Sequence, residues 1–84
     1  MTSSAVDIVL CATSVECADD ELHVALADGR KLSVPLVWFP RLLTATPAQR
    51  ADWRLIGGGE GIRWESLDED LSVHGLLRGE RARR

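Results

Sequence analysis

Tyrosine is absent from the 84 residues, and phenylalanine and methionine occur once each. No apolar run approaches the ~18–20 residues a membrane span requires, so insertion in a bilayer is not expected. Residues 1 to 13 hold no basic stretch leading into an apolar one, which argues against export. Cysteine is nearly as scarce. Cys11 and Cys17 are separated by five residues, a spacing that fits neither a CxxC redox pair nor a zinc knuckle. Only two histidines accompany them, so no metal is expected. In the cytoplasm, where the lack of an export signal places the chain, both thiols are expected to be reduced and to pack as small hydrophobes.

Cofactor signatures are missing too. The glycines between Gly57 and Gly61 follow a strand-like segment, yet no GxxxxGK[ST] is present and no helix opens after them. A dinucleotide fold would need more strands than the chain can supply. Asp68-Glu69-Asp70 lacks the spacing and the glycine of a calcium loop. His23 falls on the polar side of a hairpin, and Ser72 and His74 are too close in sequence to share a helix face. Cys11, in an apolar strand, is expected to be an inert core thiol rather than a nucleophile. The expectation is a protein with no catalytic residues and no cofactor.

What is present is an ordinary globular composition, with 45% hydrophobic and 27% charged residues. A chain this short has room for one core, which supplies only about 3–5 kcal/mol without a staple or a partner. A constitutive partner or a homodimer would fit that modest stability. The net charge of −3 conceals segregation. Residues 1 to 29 carry six acids and no lysine or arginine, whereas residues 30 to 64 carry six bases against Asp52 and Glu60. Residues 65 to 70 are again purely acidic in their charges, and the tail from Leu71 carries four arginines against Glu80. Such alternation implies segments that neutralise one another across the fold rather than a nucleic-acid groove, which needs a larger basic excess.

Ile8 to Ala18 has the β-branched, apolar character of a strand, with a turn at Asp19-Asp20. Leu22, Val24 and Leu26 then alternate with polar or small residues, as do Leu32, Val34 and Leu36 on the far side of Asp28-Gly29. A two-residue loop would put the two apolar sets on opposite faces. A three-residue loop of Ala27, Asp28 and Gly29 pairs Leu22 with Val34 and Val24 with Leu32, with Gly29 at positive φ in a bulge turn. Pro35 ends this strand or marks an edge. Leu36 to Ala45 is predicted helical with an interruption near its start, because Pro40 is tolerated only in a first turn. Thr46-Pro47-Ala48-Gln49 carries a capping box and predicts a short helix over 47–53, closed by Trp53. Arg54 to Ile56 and Gly61 to Trp64 are strand pieces around a glycine-rich bend, with a hairpin turn as the alternative. Leu67 to Asp70 is expected to be a loop, with Ser72 capping one helical turn through Leu76 and Leu77.

The fold class expected is therefore α+β: a small antiparallel sheet of three to five strands with one or two short helices packed on one face. Residues 1–79 form a single domain and 80–84 a flexible basic tail. Trp38-Phe39-Pro40-Arg41 is the most informative surface segment, because adjacent aromatics point in different directions and cannot both enter one small core easily. Aromatic plus arginine is also the composition of an interface hot spot, against which stands the slightly favoured reading that both rings pack in the core. The expected partner-binding set is Trp38, Phe39, Arg41, Trp64, Asp68, Glu69 and Asp70.

The DGR turn at Asp28 to Arg30, VPLVWFPRL at Val34 to Leu42, GIRW at Gly61 to Trp64 and LDEDLSV at Leu67 to Val73 occur together in order. In this series the chain resembles the bacterial family catalogued as domain of unknown function 2442, over about Val15 to Gly79. The resemblance implies a compact α+β fold, no known catalysis and no cofactor. It also implies a role as the antitoxin of a small ribonuclease-like toxin. Longer relatives append a helix-turn-helix domain, for which nothing after Leu77 leaves room. A protein-binding module directed at a small basic partner is thus the first functional expectation. Nucleic-acid binding through Arg41, Arg50, Arg54 and Arg63 is the alternative.

Overall fold

The computed structural model describes residues 11–81. Residues 8–10 of the expected first strand lie outside that range. Six short strands divide between two three-stranded antiparallel sheets, each in simple meander order. The first sheet holds β1 (Ala12–Cys17), β2 (Glu21–Leu26) and β3 (Lys31–Pro35). A 3-10 turn (Leu36–Trp38) leads to helices α1 (Pro40–Leu43) and α2 (Pro47–Ala51). The second sheet holds β4 (Trp53–Ile56), β5 (Gly61–Trp64) and β6 (Glu69–Ser72), and the chain closes with α3 (Val73–Leu77).

The β2–β3 hairpin has the register that apolar alternation demands, with Leu22 opposite Val34 and Val24 opposite Leu32. Its loop is closed by Gly29 N–H to Leu26 O at 3.0 Å and Leu26 N–H to Arg30 O at 2.8 Å, with Gly29 at φ 96°. Pro35 ends β3 at the edge of the sheet, where its missing N–H costs no ladder bond. Phe39 caps α1 with Pro40 in the first turn, and the 3-10 turn before it is the expected interruption. The Thr46–Gln49 capping box is formed in both directions, at 3.1 and 2.9 Å. The α2 helix nonetheless stops at Ala51, because Asp52 takes a non-helical conformation (ψ 54°). Trp53 therefore does not close the helix as expected; it opens β4.

Two further expectations are corrected. The glycine-rich segment is a hairpin turn, not a bend within one strand, since β4 pairs antiparallel with β5. Gly57, Gly58 and Gly59 all have positive φ (60°, 68° and 100°), which glycine adopts without steric cost, and with Glu60 they form the four-residue loop between the paired Ile56 and Gly61. Leu67 to Asp70 is not a loop throughout. Asp68 turns the chain in the left-handed region (φ 52°), and Glu69 and Asp70 already belong to β6. The acids conceal a strand whose inward positions are Glu69 and Leu71.

A single cluster of apolar side chains unites the two sheets. Leu22, Val24 and Val34 from the first meet Ile62, Trp64 and Leu71 from the second, with Leu36, Phe39 and Leu42 between. Ser72 caps α3 by accepting from Gly75 N–H, as expected. The helix ends in a Schellman motif: Gly79 has φ 81°, its N–H reaches Leu76 O, and Glu80 N–H reaches Gly75 O. Residues 82–84 of the expected tail lie outside the described residues.

Candidate functional site

Strand period places Arg54, Arg63 and Asp70 on the face of the second sheet turned away from the core. Arg63 is the centre of that face. Its guanidinium donates to Asp70 at 2.8 Å, to Asp68 at 3.0 Å and to Glu65 at 3.1 Å. Arg54 donates to the same Glu65 oxygen at 2.9 Å. These carboxylate hydrogen bonds, Asp70 first, push the Arg63 guanidinium above its ordinary value. The hydrogen bond from Arg63, followed by that from Arg54, holds Glu65 below the usual carboxylate range. Two cations and three carboxylates leave the patch with one negative charge in excess, and Asp68 is its most exposed member at 83%.

The same strand presents a second feature at its edge. The pair Val73–Glu60 is hydrogen-bonded, through Val73 N–H to Glu60 O at 2.9 Å, so residues 69, 71 and 73 direct their backbone groups at β5. Asp70 and Ser72 direct theirs away from it. Among the described residues, the N–H and C=O of Asp70 and the N–H of Ser72 meet no backbone partner. Along this edge runs a groove of about 410 Å³, with Phe39, Leu71 and Leu76 as its apolar wall and Asp68, Glu69 and Glu80 as its acidic one. Arg81 stands at its mouth, with its guanidinium 4.7 Å from the centre of the Trp38 ring. Arg41 braces the near end by donating to Leu67 O at 3.2 Å and Asp68 O at 2.8 Å.

The residues expected at the surface divide. Asp68, Asp70 and Arg41 share the β6 end of the molecule, and Trp38 is half-buried beside the groove. Trp64 is fully buried and cannot meet a partner directly. Its indole N–H donates to Arg50 O at 3.0 Å, which satisfies the polar atom of a core residue. Phe39 is also buried, 6.5 Å from Trp38 in an edge-on pair. Glu69, expected on an open loop, points inward instead, with 8% of its side chain exposed. Glu65, Arg63 and Glu80, absent from the expected partner set, belong to the patch and groove. The i, i+2 spacing of Arg63 with Glu65 and of Asp68 with Asp70 was the available signal, although Glu65 opens a 3-10 turn and Asp68 is left-handed rather than extended.

The arginines considered for nucleic acid are engaged within the fold. Arg50 donates to Leu42 O at 2.9 Å and Leu43 O at 2.7 Å, while Arg41, Arg54 and Arg63 hold the contacts above. Elsewhere, the outer face of the first sheet carries His23, whose Nδ1 lies 2.8 Å from Ser33 Oγ and whose Nε2 lies 3.5 Å from Glu21. Both cysteines are free thiols, and burial pushes the Cys17 thiol up. Among the described residues no group of three metal-ligating side chains is assembled, and no helix is long and apolar enough to cross a membrane.

Two small antiparallel sheets sharing one core with short helices define an α+β domain of a recurring type. The chain belongs to the family described as protein of unknown function DUF2442, whose model matches residues 12–82. A crystal structure of a protein of unknown function from Rhodospirillum rubrum is 27% identical, with a TM-score of 0.75 over 89% of this chain and 93% of that one. A solution structure of an uncharacterized protein from Chromobacterium violaceum is 29% identical, with a TM-score of 0.73 over 87% of this chain and 69% of that one. No curated protein matches the chain significantly.

Proposed function

We propose that this domain is a non-catalytic, cytoplasmic protein-binding module whose acidic β5–β6 face docks a small basic protein. The observation that carries this reading is the convergence of Glu65, Asp68 and Asp70 on the guanidinium of the strand residue Arg63, which gathers three carboxylates with negative charge to spare. Preorganised charge of one sign steers a partner of the other and fixes its register. The antitoxin role implied for the family makes that partner a small ribonuclease-like toxin. Nucleic acid is the weaker reading, since its candidate arginines already bind carboxylates or main-chain carbonyls. Homodimerisation through the same face would oppose like charges and is disfavoured.

The test is co-expression with the product of the neighbouring gene, followed by calorimetry at low and high salt. Binding that weakens with salt and falls at least about ten-fold in Asp68→Asn/Asp70→Asn is the expected result. A chain that neither binds that product nor relieves its effect on growth rejects the reading.

A further inference from the structure

Glu69 occupies an unusual position for a carboxylate. Only 8% of its side chain is exposed, and its one ionic contact among the described residues is Arg41 Nη1 at 4.0 Å, too long for a hydrogen bond. No side chain or backbone N–H among the described residues donates to it within hydrogen-bond distance. No buried side-chain oxygen among the described residues lacks a partner, so the Glu69 carboxylate keeps its remaining exposure to solvent, in the groove that it lines beside β6. The strand edge above it offers a free N–H and C=O on Asp70 and a free N–H on Ser72, spaced to receive an added strand. Leu71 and Leu76 supply apolar contact below that edge, and Asp70 stands on its outer side.

We propose that the groove binds an extended, arginine-bearing segment of the partner protein by β-strand addition to β6, with a guanidinium seated on Glu69. This deepens the reading of the acidic face and rests on it. Strand addition uses alternation on both proteins. Side chains of the added strand that point inward meet Glu69 and Leu71, and those that point outward meet Asp70, so a segment alternating basic and apolar residues satisfies the edge. Charge complementarity selects this occupant, since the groove is lined by Asp68, Glu69, Asp70 and Glu80 with Arg81 as its one cationic lining residue, while Arg63 holds Asp68 and Asp70 and Arg78 holds Glu80 from outside it. The Arg81 guanidinium over Trp38 already places one arginine at the mouth.

A fluorescent peptide of alternating arginine and valine, titrated into the full chain, tests the assignment. The control replaces each valine with proline, which keeps the charge and removes backbone donors. The alternating peptide is expected to bind and to shift the amide resonances of Asp70, Leu71, Ser72 and Leu76. The control, and the alternating peptide on Glu69→Gln, are expected to bind at least about ten-fold more weakly. Because the control is run on the unaltered chain, the test does not depend on how Glu69→Gln folds. Equal binding of both peptides, or shifts confined to Arg54 and Arg63, would overturn strand addition. Binding that appears only after residues 82–84 are removed would assign the groove to the chain's own tail and overturn it as well. If the basic protein partner binds and Glu69→Gln leaves its affinity unchanged, the groove assignment fails while the acidic face stands. If neither protein nor peptide binds, both fall.

Discussion

The two sheets share one core but present opposite exteriors. The first carries Glu16, Glu21, His23, Lys31 and Ser33, among which His23 alone makes side-chain contacts, to Ser33 and Glu21, whereas the second exposes Arg54, Arg63, Glu65, Asp68 and Asp70 linked by charge-assisted hydrogen bonds. The first owes its register to apolar alternation alone, since Leu22, Val24 and Val34 would all leave the core after a one-residue slip. The second contributes only Ile62, Trp64 and Leu71 as buried apolar strand residues and adds a lattice of ions on the other side. A sheet held from both faces can keep carboxylates in fixed positions, which is what recognition of a basic partner requires.

The hairpin turns give the sharpest way to break this comparison. A Cβ on Gly59 would lie 2.7 Å from Ala12 O and 3.0 Å from Cys11 Cβ, at φ 100°. Gly59→Ala is therefore expected to cost about 3 kcal/mol or more in urea unfolding, because strain and collision act together. Trp64→Phe comes next, at about 2–3 kcal/mol, since it leaves a gap in the core and leaves the Arg50 carbonyl with only the weak Cys17 thiol donor. Gly29→Ala, in the first sheet, has φ 96° but nothing within 4 Å of the new Cβ, so only the backbone penalty of about 1–2 kcal/mol is expected. A Gly29→Ala effect as large as that of Gly59→Ala would show that the two turns are not distinguished by packing.

The smallest effect concerns acid. Glu65 is held below its ordinary range by Arg63, and Asp28 by the Arg30 backbone N–H, so both folded-state values are depressed. A depressed carboxylate stabilises the fold above its unfolded value, and that stability is lost as pH falls through the lowered folded value. In a carboxyl titration followed by NMR, Arg63→Gln is expected to move the Glu65 midpoint upward and leave Asp28 where it is. An unmoved Glu65 midpoint would mean that Arg54 alone sustains the network.

The legible parts of the chain were those governed by local rules. The register around Gly29, the Thr46–Gln49 box and the Ser72 cap each depend on residues within a few positions of one another. The second sheet was harder to see because its strands have four residues each, too few to display a period, and because β6 begins with two acids that resemble a solvated loop. Gly58 and Gly59 were ambiguous since glycine permits a bend as easily as a hairpin turn, and only pairing with a distant strand decides between them. Of the expected contact residues, Trp64 and Phe39 were misplaced for one reason. Aromatic enrichment at interfaces and in cores is the same signal until burial separates them. The groove could not be anticipated, because it depends on how α3 and the α1 segment flank an edge that the chain forms late.

Arg50 links regions that are remote in sequence. Its side chain grips the last carbonyls of α1, while its own carbonyl receives the indole of Trp64 and, at 3.9 Å, the thiol of Cys17, one residue from each sheet. The sheets are thus riveted through a single peptide unit, and neither can loosen without disturbing that junction. Slow-exchanging amides from both halves should therefore open together in one cooperative step, so that whatever docks on the second sheet also stiffens the first.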